Sequence, residues 1–222
     1  MTGKRERLMS VLEGMGLIRG LLAARRHVRM PWLTVLCYHR IAEPTQAGEL
    51  DDAVIDATPE QFDAQLALLR EAFEFIGIDD VVAHFRGAPL PRNPCLITFD
   101  DGYLDNLTTA APLLEKHGAR ATFFIATRFL RERRLFWWDR IALLLKRSRR
   151  AAITLAYPEL QLPLGADRAA SEGVLLRMVK STHGLDLARF LGELERATDV
   201  SIDTAEERRI VDAQLLAWDQ IG

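Results

Sequence analysis

Two adjacent carboxylates, Asp100 and Asp101, stand directly after an apolar run and directly before Gly102. The apolar run is Leu96-Ile97-Thr98-Phe99, which has the composition of a buried parallel strand. An ionised carboxylate beside such a core costs several kcal/mol of folding free energy unless a cation or hydrogen-bond donors compensate it. Two carboxylates at this position therefore indicate a functional site.

Both carboxylates can face one site only if the strand ends beside them. Neighbouring side chains of a regular strand point to opposite faces, so the backbone has to turn at the pair. Gly102 permits such a turn, because glycine adopts backbone conformations that other residues avoid. We therefore expect Asp100 and Asp101 to lie where their strand ends.

Strand and helix patterns alternate around the pair, which predicts a parallel α/β architecture with ligand sites at the carboxyl ends of the strands. Thr58 and Gln61 form the capping-box pattern of a helix start, with Pro59 at the first helical position. The predicted elements are a strand Trp32–Tyr38, a loop Glu43–Ala57, a helix Pro59–Ala72, a strand Phe73–Ile78, a helix Asp79–Phe85, a strand Cys95–Phe99, a helix Asn106–His117 and a strand Ala121–Ala126.

After Ala126 the pattern becomes mostly helical, and residues 130–215 are predicted as a helical insertion that follows the third core strand. The whole domain is expected to cover residues 32–222. Within the insertion, the predicted elements are a helix Arg140–Leu145, a hairpin of Ile153–Tyr157 with Leu160–Leu164, and helices Arg168–Lys180, Leu185–Ala197 and Thr204–Leu216.

The composition is typical of one soluble globular domain, with 49% hydrophobic residues among 222 and a formal net charge of -2. The 29 basic and 31 acidic residues give no general attraction to nucleic acid. No stretch reaches the roughly 18 consecutive apolar residues of a transmembrane helix. Cys37 and Cys95 each lie in an apolar run and are expected to be buried free thiols.

Residues 1–31 are rich in lysine and arginine and space their apolar residues like one face of a helix. Glu13 and Arg19 interrupt the apolar centre that a secretory signal requires, so we expect no signal peptide. Two interpretations of this basic amphipathic helix stay open: a helix packed on the domain, or a peripheral membrane contact through residues 4–29. The expected location is the cytoplasm or the inner face of the membrane.

The segment Thr98-Phe99-Asp100-Asp101-Gly102 closely resembles the first motif of the polysaccharide deacetylases, the NodB-homology or carbohydrate esterase 4 family. Residues 33–41 resemble an early strand of that family, and residues 121–125 resemble the strand after the motif helix. Residues 136–139 and 216–221 resemble the helical insertion of one branch, which is associated with exopolysaccharide synthesis. The order and spacing of these matches make the resemblance specific.

The resemblance implies part of a distorted (β/α) barrel and a metal-dependent enzyme that removes N-acetyl groups from a polysaccharide. Asp100 matches the catalytic base of the family, and Asp101 matches a metal ligand. The implied cofactor is a divalent metal, zinc in the first place, because such an ion lowers the pKa of its bound water to about 7. A carboxylate beside the metal then accepts the proton of that water. The implied partner is an N-acetylated polysaccharide.

The sequence departs from the family pattern at the second metal motif, His-Ser/Thr-x-x-His-Pro, whose two histidine ligands are absent from this chain. Among its five histidines, His39 alone ends a strand that should neighbour the Asp100 strand. His39 is therefore a candidate site-lining residue, with a structural hydrogen bond to a loop carbonyl as the other interpretation. Asp101, even with His39, falls short of the three protein ligands of catalytic zinc.

The expected consequence is an incomplete chain that is inactive alone. The alternative is a non-catalytic protein that keeps the half-fold and binds a membrane or a partner. A haloacid-dehalogenase-like phosphohydrolase fits poorly, because one residue separates its two aspartates. With only three or four barrel strands present, we also expect an unpaired sheet edge and self-association through it.

Overall fold

The computed structural model describes residues 20–22, 24–25 and 32–221. The chain divides into two compact units. We call the first the sheet unit, which comprises Met1–Ile41 with Asp56–Ile125, and the second the helical unit, which comprises Ala42–Ile55 with Ala126–Gly222. In the described residues, no helix combines the length and the apolar composition of a membrane span.

Most of the predicted leader helix, residues 1–31, lies outside the described residues, although residues 20–22 and 24–25 are helical. The Arg25 guanidinium lies 4.8 Å from the centre of the Phe73 ring. The side-chain amide of Asn93 donates a hydrogen bond of 2.9 Å to the Arg25 carbonyl oxygen. This end of the leader therefore contacts the rest of the sheet unit.

The first half of the chain alternates strands and helices, as predicted. The helix after Thr58 begins with the predicted capping box, in which the Gln61 amide donates to the Thr58 hydroxyl over 3.2 Å. The elements are β1 (Thr34–Tyr38), β2 (Arg40–Ile41), β3 (Ile55–Ala57), α1 (Pro59–Arg70), β4 (Glu74–Ile76), α2 (Ile78–Phe85), β5 (Pro94–Phe99), a π-helix (Asn106–Ala110), α3 (Ala111–His117) and β6 (Ala121–Phe123).

β5 is the central strand of the sheet unit, and all six of its residues are buried. β1 pairs with β5 in parallel, from Thr34 opposite Cys95 to Tyr38 opposite Phe99. β4 pairs in parallel with the first half of β5, and β6 pairs in parallel with its second half. The predicted parallel α/β architecture is confirmed. The described strands of this unit form an open four-stranded sheet and no closed barrel.

The core of the sheet unit lies on one face of this sheet. Tyr38, Phe62 and Phe99 pack together there, with ring centres 5.1 to 5.8 Å apart. Cys95 is buried in the same core, as predicted. The predicted burial of Cys37 is wrong: Cys37 is exposed, and Val35 in the same strand is 51% exposed. Side chains alternate along a strand, so these two point to the face opposite the core.

Three predicted elements differ most clearly from the structure. The third core strand ends at Phe123, three residues earlier than predicted, although the Phe124 amide still donates to the Phe99 carbonyl over 2.7 Å. The predicted helix Asn106–His117 begins with one π-helical segment. The predicted loop 43–57 contains 3-10 helices at Pro44–Ala47 and Asp52–Val54 before it enters β3.

The helical unit contains the predicted hairpin, in which Thr154 pairs with Gln161 in antiparallel register. Residues 141–145 are fully buried at the centre of this unit. The helix that carries them contacts the two helices that follow the hairpin. The elements are α4 (Thr127–Glu132), α5 (Trp137–Arg147), β7 (Ala152–Ala156), β8 (Glu159–Pro163), α6 (Ala169–Ser181), α7 (Leu187–Thr198), α8 (Thr204–Gln214) and a 3-10 helix (Trp218–Gln220).

Candidate active site

The aspartate pair follows β5 directly, and the backbone turns there as predicted. The Asp100 amide donates to the Tyr38 carbonyl over 2.9 Å, which extends the β1–β5 pairing by one residue. The Gly102 amide then donates to the Asp100 carbonyl over 2.9 Å. Because Asp101 between them has φ +74°, this is a γ-turn centred on Asp101. The turn allows neighbouring carboxylates to leave the alternating geometry of the strand.

Positive φ is unusual for an aspartate and costs on the order of 1–3 kcal/mol. Gly102 also has a positive φ, +95°, which glycine adopts readily. Strain of this kind persists where the surrounding structure imposes it, and it concentrates at functional sites. The backbone at Asp101 therefore agrees with the interpretation of this edge as a site.

The two carboxylates have different surroundings. The Asp100 Oδ2 atom lies 3.5 Å from the Cys37 Sγ atom, which donates to it. Burial raises the pKa of the Asp101 carboxyl; the positive charge of His39 opposes this shift, and the negative charge of Asp100 adds to it. The carboxylates and His39 are therefore close enough to interact electrostatically.

His39 lies between β1 and β2, beside the aspartate pair. Its backbone amide donates to the Asp56 Oδ2 atom over 2.5 Å, and its Nδ1 atom lies 3.3 Å from the same oxygen. The Asn106 side-chain amide donates to the His39 carbonyl over 2.7 Å. The hydrogen bond to Asp56 raises the pKa of His39 against the effect of burial, and the charges of Asp56, Asp101 and Asp100 raise it further. The ring is thus held by a carboxylate and not by a loop carbonyl.

A buried ion pair beside the site is not predicted by the sequence analysis. The Arg40 Nε atom lies 2.7 Å from the Asp105 Oδ2 atom, and both side chains are at least 90% buried. The Asp105 Oδ1 atom also accepts from the Ile41 amide over 3.2 Å. These contacts tie the segment after β5 to the segment after β1, which carries His39. A charged residue four positions after Asp101, at the start of a helix, was the available sequence signal.

The described side chains do not by themselves form a metal site. Residues 20–22, 24–25 and 32–221 contain no group of three or more His, Cys, Asp or Glu side chains that could hold an ion. A catalytic zinc ion needs three protein ligands. Asp100, Asp101 and His39 therefore provide two carboxylates and an imidazole, but no complete ligand set.

Residues 87–183 match the family model of the polysaccharide deacetylases. The resemblance to the polysaccharide deacetylases is confirmed. We call residues 87–183 the deacetylase segment; it contains the aspartate pair and continues into the helical unit. A curated relative, YxkH of Bacillus subtilis (strain 168), is named as a polysaccharide deacetylase. It is 56% identical over 36 residues, which are 16% of this chain and 13% of YxkH.

Two solved structures are similar to part of this chain. Streptococcus pyogenes deacetylase PplD, in complex with acetate, is 26% identical with a TM-score of 0.36, and the alignment covers 47% of this chain and 45% of PplD. IcaB from Ammonifex degensii is 17% identical with a TM-score of 0.40, and the alignment covers 82% of this chain and 96% of IcaB. The chain thus spans less than half the length of YxkH and PplD.

Proposed function

We propose that this chain carries part of the active site of a polysaccharide deacetylase, an enzyme that hydrolyses the C–N bond of N-acetyl groups on a sugar polymer. The observation that carries the proposal is the γ-turn at Asp101, which holds both carboxylates at the end of β5 within the deacetylase segment. The reaction releases acetate and leaves a free amine on the sugar.

The proposed roles follow the resemblance residue by residue. Asp100 is the general base, which accepts a proton from the water that attacks the amide carbonyl. Asp101 is a ligand of a divalent metal, zinc in the first place. His39 lines the site, with its ring held through Nδ1 by Asp56. The described residues supply no complete ligand set, so the roles proposed here are those of Asp100, Asp101 and His39.

The wider proposals concern the molecule around this site. The open sheet is proposed to be part of a larger (β/α) barrel, and residues 32–222 to belong to one deacetylase domain. The polysaccharide on which the domain acts is proposed to be an exopolysaccharide. Peripheral membrane contact through residues 4–29 is a further proposal. Asp101 and His39 are the candidate ligands among the described residues and are too few for catalytic zinc, so we expect the chain to be inactive alone.

Zinc titration of the full chain, with acetate release measured in the same samples, tests these roles. We expect zinc to bind weakly, Asp101→Asn to lower the zinc affinity at least about tenfold, and an N-acetylated oligosaccharide to release no acetate. Zinc affinity that Asp101→Asn leaves unchanged contradicts the ligand role. Acetate release that disappears in Asp101→Ala refutes the inactivity of the chain. A chain that binds no zinc fits the non-catalytic alternative.

A further inference from the structure

The helical unit contains a cavity of about 290 Å³. Its walls come from α4, α5, α7 and α8, and from the turn between α4 and α5. We call it the Trp137 cavity. The side chains on which the argument depends are Arg128, Phe129, Arg134, Trp137, Arg140 and Glu207.

The floor of the Trp137 cavity is apolar and includes two aromatic rings. Trp137 is half-buried at the start of α5, and its ring meets the Trp138 ring edge-on, with centres 5.3 Å apart. Phe129 packs on the buried Phe136, with centres 4.7 Å apart. Leu187 and Leu191 of α7 complete the floor. Both aromatic side chains are therefore held by packing and lie at a preformed apolar surface.

The polar groups of the cavity are mostly paired with one another. The Arg128 Nε atom lies 3.0 Å from a Glu132 carboxylate oxygen. Arg140 lies 3.2 Å from Glu207, whose carboxylate also accepts from the Leu135 amide over 3.0 Å. The Arg134 side chain has no ion pair within the part of the chain that the structure describes. The lining is thus mostly apolar, with three arginines and two glutamates as its charged side chains.

We propose that the Trp137 cavity binds one pyranose ring of an N-acetylated glycan. The faces of a pyranose ring carry C–H groups, which pack on the electron-rich face of an aromatic ring. Its edge carries hydroxyl groups, which need both donors and acceptors such as the paired arginine and glutamate side chains provide. Arg134 also lines the cavity, and its guanidinium can donate to an acetamide carbonyl. The choice of an N-acetylated glycan rests on the proposed function.

Size and charge favour this occupant over others. The volume lies at the lower end of the range of about 300–1,000 Å³ for small-molecule pockets, which suits a single ring better than a helix. An acyl chain would cover the remaining polar atoms of the Arg140–Glu207 pair without replacing their hydrogen bonds. An acidic ligand would find only Arg134 without an ion pair among the described lining residues, because Glu132 and Glu207 already pair with Arg128 and Arg140. A neutral, hydroxyl-rich ring avoids both disadvantages.

Titration of the full chain with an N-acetylglucosamine tetramer tests the proposal, with tryptophan fluorescence and calorimetry as readouts. We expect Trp137→Ala to weaken binding about tenfold or more. Trp137→Phe, which keeps an aromatic face, should retain most of the affinity. Trp218→Ala is the matched control, because Trp218 is 51% exposed in the same unit and does not line the cavity. It should bind like the unsubstituted chain.

The outcomes separate this proposal from the proposed function. Binding that depends on Trp137 in the Asp101→Asn variant supports the cavity even if zinc binding shows that Asp101 is no ligand. Absence of saturable binding, or equal affinity in Trp137→Ala and Trp218→Ala, overturns the proposal. A dimer that Trp137→Ala dissociates, without glycan binding, also overturns it and assigns the cavity to a second copy. Arg134→Gln tests the exposed arginine of the lining independently of the aromatic floor, and this variant should also weaken binding.

Discussion

Asp101 combines a candidate function with a strained backbone, and the two can be separated by experiment. Glycine tolerates φ +74° and alanine does not, while both lack the carboxylate. We therefore expect Asp101→Gly to be more stable than Asp101→Ala by about 1 kcal/mol. Urea denaturation of the two variants measures this difference directly. Equal midpoints would mean that Asp101 carries no strain in the folded chain.

The buried ion pair of Arg40 with Asp105 is expected to contribute strongly to the stability of the folded chain. Each side chain is at least 90% buried, and burial raises the pKa of Asp105 while the Arg40 charge opposes the shift. Arg40→Met leaves the carboxylate buried without its cation, which should lower the free energy of unfolding by about 3–5 kcal/mol near neutral pH.

The control for Arg40 is Arg120, whose ion pair with Asp80 in the same unit is 2.6 Å long but exposed. Arg120→Met should cost less than about 1 kcal/mol, because water screens an exposed pair. Chemical denaturation of both variants gives the comparison. A cost for Arg40→Met as small as that of Arg120→Met would show that the buried pair does not hold the segments after β1 and β5 together.

At the scale of elements, α6 carries a buried acid whose protonation is linked to folding. Glu172 is 5% exposed and Asp51 is 3% exposed. Burial raises the pKa of Glu172 from 4.5 to about 8, and the negative charges of Asp51 and Asp52 add to the shift. The positive charge of Lys146 opposes it. The pKa of Glu172 is higher in the folded chain than in the unfolded chain, so protonation of Glu172 favours the folded state. This contribution to the free energy of unfolding is complete below the ordinary pKa of 4.5 and is lost as the pH rises towards about 8.

Glu172→Gln removes this titration and keeps a neutral side chain of similar shape. The free energy of unfolding of the unsubstituted chain should fall between about pH 5 and pH 8, by on the order of 3 kcal/mol from this group, and the variant should lack that fall. Glu159→Gln, at an exposed position on β8, is the control and should keep the full pH dependence. Parallel pH profiles for Glu172→Gln and the unsubstituted chain contradict the linkage.

Elements with strong local signals were predictable from the sequence, and elements set by distant contacts were not. The capping box at Thr58 and the turn at Gly102 are local, and both are present. β6 ends at Phe123 because Phe123 lies opposite Phe99, the last residue of β5, and an apolar run in the sequence cannot reveal where the partner strand ends. The Arg40–Asp105 pair joins residues 65 positions apart, and no periodicity encodes such a contact.

At the scale of the whole molecule, the open sheet predicts self-association. β1 pairs only with β5 among the described strands, so its other edge is unpaired within that part of the chain, and an unpaired edge is a template for pairing with another chain. The exposed face beside it carries Val35 at 51% exposure, and Phe124 after β6 is also 51% exposed. Apolar surface next to an unpaired edge favours pairing with another chain. We expect the full chain to form dimers or larger species as its concentration rises.

Val35→Lys tests which surface drives this association. A lysine on an edge strand opposes edge-to-edge pairing through charge repulsion and desolvation, so the variant should shift the chain towards monomer in sedimentation velocity. Val82→Lys is the matched control, since Val82 is 42% exposed on α2 of the same unit and away from the edge strand. It should associate like the unsubstituted chain. If both variants dissociate equally, general surface charge and not the β1 edge controls assembly; if neither does, association does not involve β1.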